Sequence, residues 1–178
     1  MTTGPNDLTP PIIVFGTTRT DGVPDDHLAV EPSVDSAVNH LFPDGAPDET
    51  FPAVGAVECF DSMGRRLRFD TSYGAPTLVA GDERIARGAL HARVEEVFAR
   101  VRAWSYGVPD VFDKAPAGVD HPSQVRPPQL AEAGTAEPTD EAYDTFFAAL
   151  VDLLATDTGG AARITEDRGS WWHNLFHH

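Results

Sequence analysis

The chain has 178 residues, of which 41% are apolar and 9% aromatic, and its formal net charge is −15. This length is sufficient for one compact domain, so a single domain over residues 1–178 is expected. The sequence contains no run of about 18 apolar residues that could span a membrane. The N-terminus also lacks the basic and apolar regions of a signal peptide, and these two observations predict a cytoplasmic location. The single cysteine, Cys59, excludes an internal disulfide framework and multi-cysteine zinc motifs.

The charge is distributed unevenly along the chain. Residues 1–60 and 105–178 have net charges of −9 and −8, whereas residues 61–104 have +2 because eight arginines fall there. An acidic surface repels phosphates, which argues against nucleic acid as a partner. The same surface attracts a basic protein and raises its association rate, although an acidic surface that only maintains solubility is the alternative. The arginines predict a basic stripe within the acidic surface.

The N-terminal part of the chain predicts short elements separated by loops. Residues 1–11 contain three prolines and no periodicity, which indicates a mobile or draped arm. The β-branched run at 12–15 predicts a buried strand, residues 17–26 a loop, and residues 28–30 a second short strand. A short helix is expected over 33–42, where a serine can cap the first turn and apolar residues recur at helical spacing.

Three consecutive strands are predicted at about 52–80. An apolar run at 51–60, turn residues at 61–64 and an alternating pattern at 65–70 indicate a hairpin. A third strand, 76–80, follows and ends before a Gly-Asp pair. Short connections of this kind favour an antiparallel meander.

Two long helices are predicted after the meander. Asp82 is a candidate N-cap for a helix over 82–104, and an N-cap hydroxyl with acidic first-turn residues begins a second helix over 139–155. Four small residues occupy the outer side of the first helix: Gly88, Ala92, Ala99 and Ala103. Such small residues would let another backbone approach closely, either within the chain or in a homodimer. The alternative is that the alanines are present only because they favour helix formation. A long proline-rich loop, 105–138, separates the two helices.

These elements predict an α+β fold. Its small, mainly antiparallel sheet contains the three-strand meander at about 52–80 and the N-terminal strand. The helices at 82–104 and 139–155 cover one face and share the main core, to which Leu90 and Phe147 contribute. A short C-terminal helix completes the domain.

Aromatic residues are the candidate partner-binding groups. Trp104, Tyr106 and Asp110 lie where the first long helix meets the long loop, and Trp and Tyr provide large apolar areas with a polar end. The alternative is that these aromatic residues are buried at the end of the helix. Trp171 and Trp172 share one face of the terminal helix and are too apolar to remain in water. They are expected to dock on their own domain or on another chain.

His173 and His177 are candidate metal ligands. Their spacing places two imidazoles on one side of a helix, as a divalent ion such as zinc requires. Further ligands would have to come from residues such as His91, His121 or Asp167. The alternatives are a structural tail or terminal histidines that belong to an affinity tag.

No segment of the sequence matches a specific catalytic motif. Its serines lack the Gly-x-Ser-x-Gly pattern of hydrolases, and Cys59 is predicted to be a buried, inert thiol because it lies in an apolar run. We therefore expect an acidic protein-interaction module of the immunity or adaptor kind, which binds a basic protein partner and needs no cofactor. The alternative is a small metal-dependent enzyme or metal-binding protein that holds zinc at its histidine-rich C-terminus.

Overall fold

A computed structural model describes residues 8–20, 23–42, 57–72, 74–107, 126–130 and 137–154. Within these ranges, five strands form one sheet and three helices pack against it. In chain order, the elements are β1 (Ile12–Thr20), β2 (Val23–Glu31), α1 (Val34–Leu41), β3 (Val57–Asp61), β4 (Arg65–Asp70), β5 (Thr77–Arg84), α2 (Arg87–Gly107) and α3 (Asp140–Leu154).

The sheet has the order β2-β1-β3-β4-β5, and each neighbouring pair is antiparallel. The predicted α+β class is therefore confirmed. The meander is present as β3, β4 and β5, and the N-terminal strand joins it through β3, where Ile13 is opposite Phe60. The β4 strand spans Arg65–Asp70, as its alternating pattern predicted.

The prediction of a loop over residues 17–26 is wrong. Strands β1 and β2 form a long hairpin in which pairing continues to Thr20 and Val23, with only Asp21 and Gly22 between them. The sequence showed no strand pattern here because the segment is polar and contains Pro24. Pro24 is nevertheless compatible with β2, because β2 lies at the edge of the sheet, where a missing proline N–H is tolerated.

The predicted boundary between the third strand and the first long helix is also wrong. Pairing between β4 and β5 continues past a bulge until Arg65 meets Arg84, so β5 includes Asp82. Helix α2 therefore begins at Arg87, and Asp82 does not cap it. At its other end α2 extends to Gly107, so residues 105–107 belong to a helix rather than to the predicted loop.

The main core lies between one face of the sheet and the two long helices. Alternate residues of β1 and β2, including Ile13 and Val30, point to this face. The helices contribute buried residues to the same cluster: Leu90, Val94, Val97, Phe98, Phe146, Phe147 and Leu150. This confirms that the two helices share the main core. Leu130, from the predicted long loop, packs against the cluster as well.

A second core lies on the opposite face of the sheet beneath α1. It contains Ile12 and Val14 from β1 together with Leu41 from the helix. Ser33 caps α1, because its Oγ accepts a hydrogen bond from the Ser36 N–H at 3.0 Å. The predicted short helix is therefore confirmed. Since α1 contacts both edge strands, β2 and β5, the sheet curls around this helix.

Two segments near the ends of the described chain are held in place. Leu8 packs against the second core, and the Ser62 N–H donates to the Thr9 carbonyl at 3.0 Å. Leu8 and Thr9 therefore contact the domain, while residues 1–7 lie outside the described residues, and the mobility of the arm stays a prediction. Thr139 caps α3, as predicted, by accepting a hydrogen bond from the Ala142 N–H at 3.3 Å.

Candidate protein-interaction surface

The aromatic residues predicted to bind a partner are only partly covered by the structure. The backbone of Trp104 and Tyr106 belongs to the last turns of α2, but their side chains lie outside what the structure describes. Asp110, Trp171 and Trp172 lie outside the described residues. The proposed roles of all five residues stay predictions.

The proposed metal ligands His173 and His177, like His121 and Asp167, also lie outside the described residues. His91 is described, and its ring lies edge-on to Phe146, with centroids 4.5 Å apart. Its Nε2 is 3.7 Å from a Glu95 carboxylate oxygen. In the described part of the chain, no group of three or more His, Cys, Asp or Glu residues could hold a metal ion. The zinc site therefore stays a prediction.

Cys59 is a buried thiol in the second core, as the sequence predicted. Burial, followed by the negative charge of Glu58, raises the pKa of the Cys59 thiol to about 12. The thiolate is the reactive form of cysteine. The thiol is therefore neutral and unreactive near pH 7.

The predicted basic stripe is largely neutralised within the fold. Arg66 bridges two carboxylates, with its Nη2 3.1 Å from Glu58 Oε1 and its Nη1 2.5 Å from Glu83 Oε2. The hydrogen bond to Glu83, followed by the charges of Glu58 and Glu83, raises the pKa of Arg66 above its ordinary value. Arg93 binds the other oxygen of Glu58, and its guanidinium carbon lies 4.1 Å from the centre of the Phe15 ring. A network of ion pairs thus joins α2 to β3, β4 and β5.

Three further arginines of the stripe also have carboxylate partners: Arg65 with Asp61, Arg87 with Asp140 and Asp144, and Arg100 with Glu96. Five of the eight arginines of the predicted stripe therefore pair with carboxylates of the domain. The sequence could not show this, because most of these pairs join residues that are distant along the chain.

Helix α3 presents an acidic face, defined here by Asp140, Glu141, Asp144 and Asp152. All four side chains are exposed, and the helix contains no lysine, arginine or histidine. At about 100° per residue they fall within a sector of roughly 120°, and Glu141 and Asp152 are separated by about 16 Å along the axis. Helical periodicity would have been enough to predict the acidic face, whereas its first residues were interpreted only as a helix start.

Arg87 fixes the position of the acidic face on the domain. This arginine is buried, with 7% of its side chain exposed, and its Nη2 donates to Asp144 Oδ1 at 2.5 Å. Its Nη1 donates to the Asp140 carbonyl at 3.1 Å, and its guanidinium carbon lies 5.2 Å from the centre of the Tyr143 ring. Asp140 and Asp144 are thereby paired, whereas Glu141 and Asp152 form no ion pair among the described residues.

A buried polar cluster joins the end of β2 to α1. The Glu31 carboxylate accepts a hydrogen bond from Ser36 Oγ and lies 2.6 Å from His40 Nδ1. In a nucleophile–base pair, the serine would bind the histidine. Here both side chains bind the carboxylate, so the cluster supports α1 rather than activating the serine.

A groove of about 440 Å³ lies beside β4 and β5. Its apolar lining comes from Val57, Leu67 and Phe69, and its charged lining from Arg66, Arg68, Asp82 and Glu83. The ion pair between Arg66 and Glu83 occupies part of this lining, so these two charges already have partners.

Comparison with known proteins finds no matching family model, no similar curated protein and no similar solved structure. No helix in the described part of the chain is both long and apolar enough to cross a membrane. Inference about function therefore depends on the chemistry of the surface, of which the acidic face of α3 is the most distinctive described part.

Proposed function

We propose that the protein is an acidic interaction module, of the immunity or adaptor kind, that binds a basic protein through the acidic face of α3. The observation that carries this proposal is a helix with four exposed carboxylates and no cation of its own. Two of these carboxylates, Glu141 and Asp152, have no ion pair among the described residues, so they are available to a partner's lysines or arginines.

The charge of the whole chain supports the same proposal. A net charge of −15 produces a long-range negative field that increases the rate at which a basic protein encounters this one. Where an arginine pairs with a carboxylate, neither charge contributes much to the long-range field, so this field comes from the carboxylates in excess. Complementary fields determine orientation and association rate more than they determine the final affinity.

The packing of α3 supports binding by a rigid surface. Phe146, Phe147 and Leu150 anchor the helix in the main core, and Arg87 ties its first turn to α2. The carboxylates are thus held on a fixed backbone before a partner arrives. A surface organised in advance loses less conformational entropy on binding than a flexible acidic segment.

The proposal can be tested in two steps. The immobilised full chain is first used to capture proteins from the source cells at low salt, and each captured protein is identified and purified. Its association rate with the full chain is then measured over a range of NaCl concentrations. We expect a basic partner whose association slows steeply above about 0.1 M salt, where the Debye length falls below about 10 Å. An acidic or neutral partner, or a rate independent of salt, would contradict the proposal.

Paired charge reversals separate the acidic face from the overall charge. The test variant is Glu141→Lys/Asp152→Lys, and the control variant is Asp35→Lys/Asp82→Lys, in which both substituted residues are also exposed. Each variant changes the net charge equally and removes one carboxylate from the first turn of a helix. We expect the test variant to reduce the association rate about tenfold and the control less than about threefold. Equal reductions would show that only the overall charge matters.

A further inference from the structure

We draw no further inference here: the strongest candidate, the groove of about 440 Å³ beside β4 and β5 that Leu67, Phe69, Arg68 and Asp82 help to line, carries nothing because nothing in the described part of the structure shows what covers it.

Discussion

At the scale of single residues, Gly64 and Gly74 share a positive φ but differ in their surroundings. Gly64 has a φ of 78°, and a Cβ added there would lie 2.2 Å from the Ile85 carbonyl oxygen. Its own carbonyl also accepts a hydrogen bond from the Ile85 N–H at 2.9 Å. Gly74 has a φ of 86°, but an added Cβ would meet no atom within 4 Å. Only Gly64 is therefore required both by the backbone conformation and by close packing.

Replacing these glycines by alanine should separate the two effects. We expect Gly74→Ala to reduce the free energy of unfolding by about 1–2 kcal/mol, the usual penalty for a side chain in the left-handed region. Gly64→Ala should cost more, about 3 kcal/mol or above, because the backbone around Ile85 must also move. Denaturant unfolding of both variants measures the difference. Equal losses would show that the contact with Ile85 is easily relieved.

Cys59 provides a prediction about pH. Its pKa in the folded chain, about 12, lies above the ordinary value of 9.0, so the folded state holds the thiol proton more tightly than the unfolded state. The resulting stabilisation is complete below pH 9 and is lost as the pH rises toward 12. Compared with a Cys59→Ala variant, the wild type should lose stability above pH 9 at up to about 1.4 kcal/mol per pH unit. Unfolding curves between pH 7 and 11 test this, and parallel pH profiles would contradict it.

At the scale of secondary-structure elements, the join between α2 and α3 combines apolar packing with one buried cation. The apolar part contains Leu90 and Phe147, which are both 0% exposed. The polar part is Arg87, which is the first residue of α2 and binds the first two turns of α3 through Asp140 and Asp144. Because Asp140 and Asp144 are largely exposed, solvent screens part of their attraction to the arginine. The orientation of α3 therefore depends on both kinds of contact.

Removing an apolar anchor should weaken this join strongly. We expect Leu90→Ala or Phe147→Ala to destabilise the fold by about 2–5 kcal/mol, through lost burial and the cavity that remains. Ala92→Gly, on the exposed side of α2, is the control and should cost only about 1 kcal/mol through helix propensity. Denaturant midpoints provide the comparison. If Leu90→Ala lost as little stability as Ala92→Gly, the placement of Leu90 in the main core would be contradicted.

Removing the buried cation tests the polar part of the same join. Arg87→Met keeps most of the side-chain volume but loses the hydrogen bonds to α3, and we expect a cost of about 1.5–3 kcal/mol. Arg100→Met is the matched control because Arg100 pairs with Glu96 at the surface of the same helix, where such pairs contribute about 0.5 kcal/mol. Equal losses of stability in the two variants would show that the buried Arg87 stabilises the fold no more than a surface arginine does.

At the scale of the whole molecule, the surface is dominated by carboxylates. Among the side chains that the structure describes, the exposed acidic residues are Asp35, Asp82, Glu83, Glu95, Glu96, Glu137, Asp140, Glu141, Asp144 and Asp152. In the same described part of the chain, the arginines classed as exposed are Arg68, Arg84, Arg100 and Arg126. Since the net charge of the chain is −15, mutual repulsion should exceed the attraction of the surface pairs.

Salt should consequently stabilise the free protein. We expect the melting temperature to rise by roughly 2–4 °C, or about 1 kcal/mol for a chain of this size, when NaCl increases from about 20 to about 200 mM. The Glu141→Lys/Asp152→Lys variant should respond less because it is less negatively charged. Scanning calorimetry measures the melting temperature of both proteins at each salt concentration. A melting temperature that falls with salt would show that attractive ion pairs dominate instead.

Local patterns predicted the elements that carry a regular apolar stripe. The alternation of Leu67 and Phe69 predicted β4, and helical spacing predicted α1 and α3 together with their capping residues, Ser33 and Thr139. These predictions succeeded because each element buries one face in a single environment, so its period survives in the sequence. Residues 17–20 and 23–27 are mostly polar and lack such an alternation, so the pattern did not predict that β1 and β2 continue through them.

The sequence by itself determined the α+β class, the acidic charge and the apolar faces of the long helices, because these follow from composition and short-range periodicity. Only the tertiary structure decided that β5 continues through Asp82 and that five of the described arginines pair with carboxylates. Both outcomes depend on distant partners: Arg65 extends the pairing of β5, and Glu58 binds Arg66 and Arg93 from different elements. Hydrogen bonds and charges are satisfied by whichever groups the fold brings close, and separation along the chain does not specify those groups.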